Sequence, residues 1–104
     1  MHRTSTDAGP LRALRLTEAL FGAVVDGATN RELEQATGYS PSNVSRDLRL
    51  LEQAGWARRL GNGRWTLTEK PAALLKVYQF HLEALAERAK NFDLRAAAGA
   101  RQML

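Results

Sequence analysis

Residues 29–56 read TNRELEQATGYSPSNVSRDLRLLEQAGW, a stretch with two helix starts eleven residues apart. Thr29 and Glu32 form T-x-x-E, in which the threonine hydroxyl accepts the free N–H at the third helical position and the glutamate reaches back to the cap. A helix beginning there carries Leu33 and Ala36 inward and stops at Gly38, which tolerates the left-handed conformation that a side chain resists. Ser40-Pro41 is the second start: serine caps, and proline at the first helical position gives up an N–H that has no helical partner. Tyr39 and Val44 bracket this cap where a hydrophobic staple sits. The resulting helix runs from 41 to about 54, turns Val44, Leu48 and Leu51 inward, and closes at Gly55. Ser42, Asn43, Ser45, Arg46 and Arg49 fall off that stripe. A two-turn helix, a tight turn at Gly38-Tyr39-Ser40 and a helix with a polar N-terminal face define a helix-turn-helix, whose second helix is shaped for the major groove of duplex DNA.

Working outward toward the N-terminus, Pro10 opens a first helix over about 11–25, in which Leu14, Leu20, Phe21, Val24 and Val25 recur at helical spacing up to the stop at Asp26-Gly27. Residues 1–9 are polar and aperiodic and read as a flexible arm. Toward the C-terminus, the period changes after Gly55 from helical to alternating. WARRL (56–60) and RWTLT (64–68) flank Gly61-Asn62-Gly63, a hairpin turn composition. Trp65 and Leu67 alternate inward, leaving Arg64 and Thr66 outward, and both tryptophans read as core of the hairpin in preference to base-stacking groups. Arg58, Arg59 and Arg64 crowd the strands near the tip. A hairpin in this place is a wing, whose arginines reach backbone phosphates or a minor groove. Gly61-Asn62-Gly63 opens no helix and has the spacing of no nucleotide motif, so it reads as a plain turn.

From Pro71 the pattern is helical again. Leu75, Tyr78, Leu82, Leu85, Ala89 and Phe92 recur at alternating intervals of three and four, the seam of a helix that packs against another. The competing register through Leu74, Tyr78, His81, Leu85, Arg88 and Phe92 buries a histidine and an arginine, which disfavours it. The seam either folds back on its own domain or pairs with a second copy, and pairing is favoured because the preceding elements already cover one another's apolar faces. The organisation expected is therefore an arm (1–9), a winged core (10–70), a dimerisation helix (71–98) and a frayed tail (99–104).

Composition narrows the chemistry. The chain has 104 residues, a net charge of +4 and a pI near 10.1, a balance that suits a polyanionic partner. The charge is unevenly placed: residues 1–55 carry six basic and seven acidic side chains, residues 56–104 nine and four. The absence of cysteine excludes disulfides, thiolate zinc sites and thiol nucleophiles. His2 and His81 are the only histidines and are far apart, so neither a metal nor another cofactor is expected, and His81 reads as a helix-surface or interface residue. No apolar run spans a bilayer and the N-terminus has no signal-peptide character, so a cytoplasmic location is expected. No apolar run ends in a placed nucleophile and no carboxylate pair sits among core positions, which speaks against an enzyme.

The order of helix, T-x-x-E helix, SPSNVSRDLRLLEQAGW and a hairpin ending RWTLT resembles the winged helix-turn-helix domain of bacterial transcription regulators, and is most similar to the N-terminal domain of the IclR type. The resemblance covers about residues 11–70 and rests on S-x-x-x-R-x-L-x-x-L-x-x-x-G, a pattern that marks the superfamily better than the family. It implies a mainly α fold with a small β-hairpin, followed here by a long C-terminal helix. It implies DNA contact through Ser42, Asn43, Ser45, Arg46 and Arg49 in the major groove and through Arg59, Asn62 and Arg64 on the wing. The effector-binding domain of IclR regulators has no counterpart in this stretch, so the resemblance implies a small stand-alone regulator of a kind common in phages and mobile elements. The expected partners are double-stranded DNA and a second copy of the chain. The competing reading is a protein-binding winged-helix adaptor that occupies a host protein, a reading that the acidic Asp47 and Glu52 near the recognition face support slightly.

Overall fold

The computed structural model of the chain describes residues 7–104. Its elements are, in order, α1 (Gly9–Phe21), α2 (Asn30–Thr37), α3 (Pro41–Gln53), β1 (Ala57–Arg59), β2 (Trp65–Leu67) and α4 (Lys70–Met103). The chain divides into two compact units, one ending at Pro71 and one spanning Ala72–Leu104.

The capping box expected at the start of α2 is complete. Thr29 Oγ1 accepts from Glu32 N–H at 3.1 Å, and Glu32 Oε1 accepts from Thr29 N–H at 2.9 Å. Gly38 ends α2 in the left-handed conformation at φ 75°. Ser40 caps α3, accepting from Asn43 N–H at 3.2 Å, and the staple residues Tyr39 and Val44 are both buried. The Tyr39 hydroxyl donates to Asp7 at 2.6 Å, so its one polar atom is paired. Val44 and Leu48 are buried and Leu51 packs against them half-buried, as the stripe requires.

Strands β1 and β2 pair antiparallel in the register Ala57↔Leu67, Arg58↔Thr66 and Arg59↔Trp65. A bridge outside the hairpin adds a third edge: Ala28 and Trp65 exchange both backbone hydrogen bonds, at 2.7 and 2.8 Å. This close approach explains Gly27. At φ 77°, a Cβ on Gly27 would lie 2.9 Å from the Trp65 carbonyl oxygen, so only glycine lets the α1–α2 connection lie against β2. The core of the unit joins Leu16, Leu20, Leu33, Tyr39, Val44, Leu48, Trp65 and Leu67 with Ala28 and Ala57. Helix, helix-turn-helix and hairpin around one core constitute a winged helix-turn-helix fold.

Several expectations are corrected. α1 runs from Gly9 to Phe21, ending four residues before the expected stop, because Gly22 N–H closes on the Ala19 carbonyl, Ala23 N–H closes on the Leu20 carbonyl, and residues 22–26 form turns. Its inward face is Leu16, Thr17 and Leu20, whereas Leu14, Phe21, Val24 and Val25 are exposed. In α2 the second inward residue is Thr37, and Ala36 faces solvent; the Thr37 hydroxyl donates to the Leu33 carbonyl, which makes its burial tolerable. Thr66, expected outward, is buried because its hydroxyl donates to the Val24 carbonyl and the 22–26 segment covers that face of β2. The expected arm at 1–9 lies outside the described residues up to position 6, while Asp7 is tied to Tyr39 and Gly9 is already helical.

The second unit is a continuous helix. α4 extends through Gly99 to Met103, so the frayed tail expected at 99–104 is helical except for its last residue. The Ala-Ala-Ala run before Gly99 supplies the helix propensity that offsets one glycine. No residue of α4 is buried.

Candidate nucleic-acid interface

The polar side of α3 is organised by what happens at Asp47. Its carboxylate is buried, and Arg12 on α1 grips it through both Nε and Nη2, the latter at 3.1 Å from Oδ1. The hydrogen bond to Asp47 is the main cause that raises the Arg12 pKa above its ordinary value, with burial opposing it, so the guanidinium stays charged at any accessible pH. A bidentate arginine–carboxylate pair of this kind locks α1 to α3 and takes the only acidic charge of the first three turns of α3 off its surface. Asp47 therefore lies beneath the α3 surface, and its presence does not weaken a DNA-facing reading as the sequence suggested.

Apart from Pro41, Leu50 and Glu52, what α3 exposes is then basic or hydrogen-bonding. Ser42, Arg46 and Arg49 are exposed, and Asn43 and Ser45 are half-buried. Asn43 contributes its backbone N–H to the Ser40 cap, and Ser42 Oγ lies 3.4 Å from Ser40 Oγ. On the hairpin, Arg58 and Arg59 are exposed and Asn62 sits at the exposed tip, where its Oδ1 accepts from Arg64 N–H at 3.0 Å. That turn has Gly63 at φ 83° as its one left-handed residue, and Leu60 N–H closes it on the Arg64 carbonyl at 2.7 Å.

Arg64 departs from the outward role expected of it. Its guanidinium turns inward and donates to the Asp26 carbonyl at 3.2 Å, the Gly27 carbonyl at 3.1 Å and Glu32 Oε1 at 2.7 Å. The residue is a clamp that fastens the hairpin to the α1–α2 connection and to the α2 capping box. Glu32 is held below the ordinary glutamate range, first by the hydrogen bond from Thr29 N–H and then by the Arg64 charge, with desolvation acting the other way. Sequence reasoning placed Arg64 on the wrong side because strict alternation counts pleats and takes no account of a carbonyl corner packed against the strand.

Asn30 was missed altogether. As the first residue of α2, its side chain reaches both the wing and α3: Oδ1 accepts from Trp65 Nε1 at 3.2 Å, and Nδ2 donates to Ser45 Oγ at 3.1 Å. Asn30, Ser45, Arg49, Arg59 and Trp65 line a cavity of about 250 Å³ between α3 and the hairpin. No local pattern marks Asn30, since its partners lie 15 and 35 residues away.

The seam residues of α4 are exposed without exception. Leu75, Tyr78, Leu82, Leu85 and Phe92 keep between 47% and 68% of their surface in solvent, and Ala89 is exposed as well. His81 is also at the surface. Nothing within the helical unit covers this row. Among the described residues, no helix is long and apolar enough to cross a membrane, and no three His, Asp or Glu side chains gather in a way that could hold a metal ion.

Neither a protein-family model nor a curated protein sequence matches the chain. Among solved structures it is similar to a mutant of Lactococcus lactis ZitR, with 20% identity and a TM-score of 0.49. The match covers 88% of this chain and 64% of that one. The fold assignment stands on the element order and the residue roles given above.

Proposed function

We propose that the chain is a transcription regulator that binds duplex DNA as a dimer, α3 in the major groove and the β1–β2 wing on the backbone or minor groove. The observation that carries this reading is the surface of α3: its first three turns present Ser42, Arg46 and Arg49, while the one carboxylate among them is buried on Arg12. Arg46 is the base-reading residue in this proposal, because a guanidinium is suited to bidentate contact with guanine. Arg58 and Arg59 serve the wing, with Asn62 at its tip; Arg64 acts as the clamp. Kinship to the IclR type is part of the same reading and rests on the S-x-x-x-R-x-L-x-x-L-x-x-x-G pattern.

Dimerisation is proposed through α4. One recognition helix covers too few base pairs to stand out among genomic sites, whereas two copies read half-sites about one helical turn apart. The exposed Leu75-to-Phe92 row is the surface that a second helix would cover. Selection from a pool of random duplexes, followed by gel-shift with the enriched sequence, tests the proposal. Enrichment of a two-fold-symmetric site is the expected result. Failure to retain any duplex at low salt would transfer the reading to a protein-binding adaptor, for which the exposed Leu11, Leu14 and Phe21 on α1 offer an apolar face.

A further inference from the structure

The cavity between α3 and the wing holds a chain of hydrogen bonds with a fixed direction. An indole N–H can only donate, so the Asn30 amide must turn its oxygen to Trp65 Nε1 and its nitrogen to Ser45. Ser45 Oγ therefore accepts from Asn30, and its own hydroxyl proton is left to point elsewhere; among the described residues no other hydrogen bond engages the Ser45 side chain. Arg49, Arg59 and Trp65 complete the walls of the cavity, and among the described residues no carboxylate lines it. A hydroxyl whose proton is free to donate, flanked by two guanidiniums on different elements, is a site for an oxyanion. Accepting groups on bases are also met by such a donor, but a base edge has no charge to repay the desolvation of two guanidiniums in one small cavity.

We infer that this cavity seats one backbone phosphate of bound DNA, with Ser45, Arg49 and Arg59 touching it and Asn30 acting as the positioning residue that holds Ser45 as a donor. The inference rests on the DNA-binding reading and divides α3 into two roles. Arg46 reads sequence, while the Ser45 side of the helix fixes register on the backbone and carries no sequence information. Trp65 links this seat to the core, since the same side chain belongs to the buried cluster and aligns Asn30.

Asn30→Asp reverses the polarity while keeping the Trp65 partner. A carboxylate only accepts, so the Ser45 proton is drawn inward and away from the phosphate. The experiment measures binding of parent, Ser45→Ala, Asn30→Asp and the double variant to two probes, the enriched duplex and an unselected random duplex, with circular dichroism as the folding control. Ser45→Ala should weaken both probes by the same factor, about tenfold, as expected for loss of one hydrogen bond to a charged acceptor. Asn30→Asp should weaken both by more, because it also adds a negative charge. The same change made in the Ser45→Ala chain should cost only that charge, so its factor should be smaller there by about the factor lost in Ser45→Ala. Equal cost of Asn30→Asp in both backgrounds would show that Asn30 does not act through Ser45 and overturn the inference. A Ser45→Ala loss confined to the enriched duplex would make Ser45 a base reader and overturn it as well. A third arm titrates inorganic phosphate while following the Trp65 indole N–H by NMR. Saturation there, with DNA affinity unchanged in all variants, would assign the cavity to a soluble anion instead. If the parent binds neither duplex, the DNA-binding reading fails first.

Discussion

The helix that follows the winged core carries a larger share of apolar residues than the core does and uses them in the opposite way. In the core, polar groups are answered from within: Asp47 by Arg12, Thr66 by the Val24 carbonyl, Trp65 Nε1 by Asn30, and Arg64 by two carbonyls and Glu32. In α4 no side chain is buried, and leucines, tyrosine and phenylalanines stand at the surface beside its charges. A closed core leaves its rim for recognition, and on α3 and the hairpin that rim presents Ser42, Arg46, Arg49, Arg58 and Arg59. α4 has its apolar residues still uncovered, which is the surface the proposed dimer would use. The contrast suggests two surfaces for two kinds of partner: nucleic acid on the first unit, and a second copy of the chain on the other.

The most damaging change to the core should be Arg12→Ala, which leaves the buried Asp47 carboxylate with no counter-charge. A cost of about 3–5 kcal/mol is expected in urea unfolding, whereas Arg12→Met combined with Asp47→Leu should recover most of it, because removing both charges removes the penalty too. A single variant as stable as the parent would mean that the two regions differ less than their contacts indicate. On the helix, Leu82→Glu should have the reverse character. Sedimentation at micromolar concentration is expected to show the parent as a dimer and the variant as a monomer, with association weakened by about 3 kcal/mol or more, while thermal unfolding of the winged unit is unchanged. A variant that unfolds the whole chain would erase the distinction between the regions.

Smaller effects sharpen the recognition surface. Arg46→Ala should cost about 1–3 kcal/mol on the enriched duplex, relax preference at one base position, and leave binding to random duplex far less affected. Arg59→Ala should weaken both probes alike and lower the slope of log K against log salt by about one. The capping box gives the smallest effect: Thr29→Ala should cost about 1 kcal/mol by chemical denaturation. Because the folded-state pKa of Glu32 is depressed, its contribution is present at neutral pH and is lost as pH falls through that lowered value, below the ordinary glutamate range. Glu32→Gln should therefore flatten the acid limb of stability against pH, which a denaturation series from about pH 6 to pH 3 would show as a smaller loss than in the parent.

Local chemistry carried a large part of this fold into the sequence. Thr29, Glu32, Gly38, Ser40 and Pro41 place the helix-turn-helix because capping and left-handed turns are decided by groups within four residues of one another. The same holds for the hairpin, where Gly61-Asn62-Gly63 makes a tight reversal whatever surrounds it. Tertiary structure decided the rest, since the remaining partners are distant in the chain. Asp47 is acidic in sequence and buried in the fold because Arg12 is 35 residues away; Arg64 turns inward because the carbonyls of Asp26 and Gly27 wait beside it; Asn30 becomes a connector only once α3 and β2 flank it. Periodicity assigned α1 only part of its inward face for the same reason: of the stripe Leu14, Leu20, Phe21, Val24 and Val25 only Leu20 is buried, Leu16 joins it, and which apolar residues are covered depends on where α3 and the wing lie. Sequence determines what a residue is able to bond; only packing determines which of its possible partners comes within 3 Å or so of it.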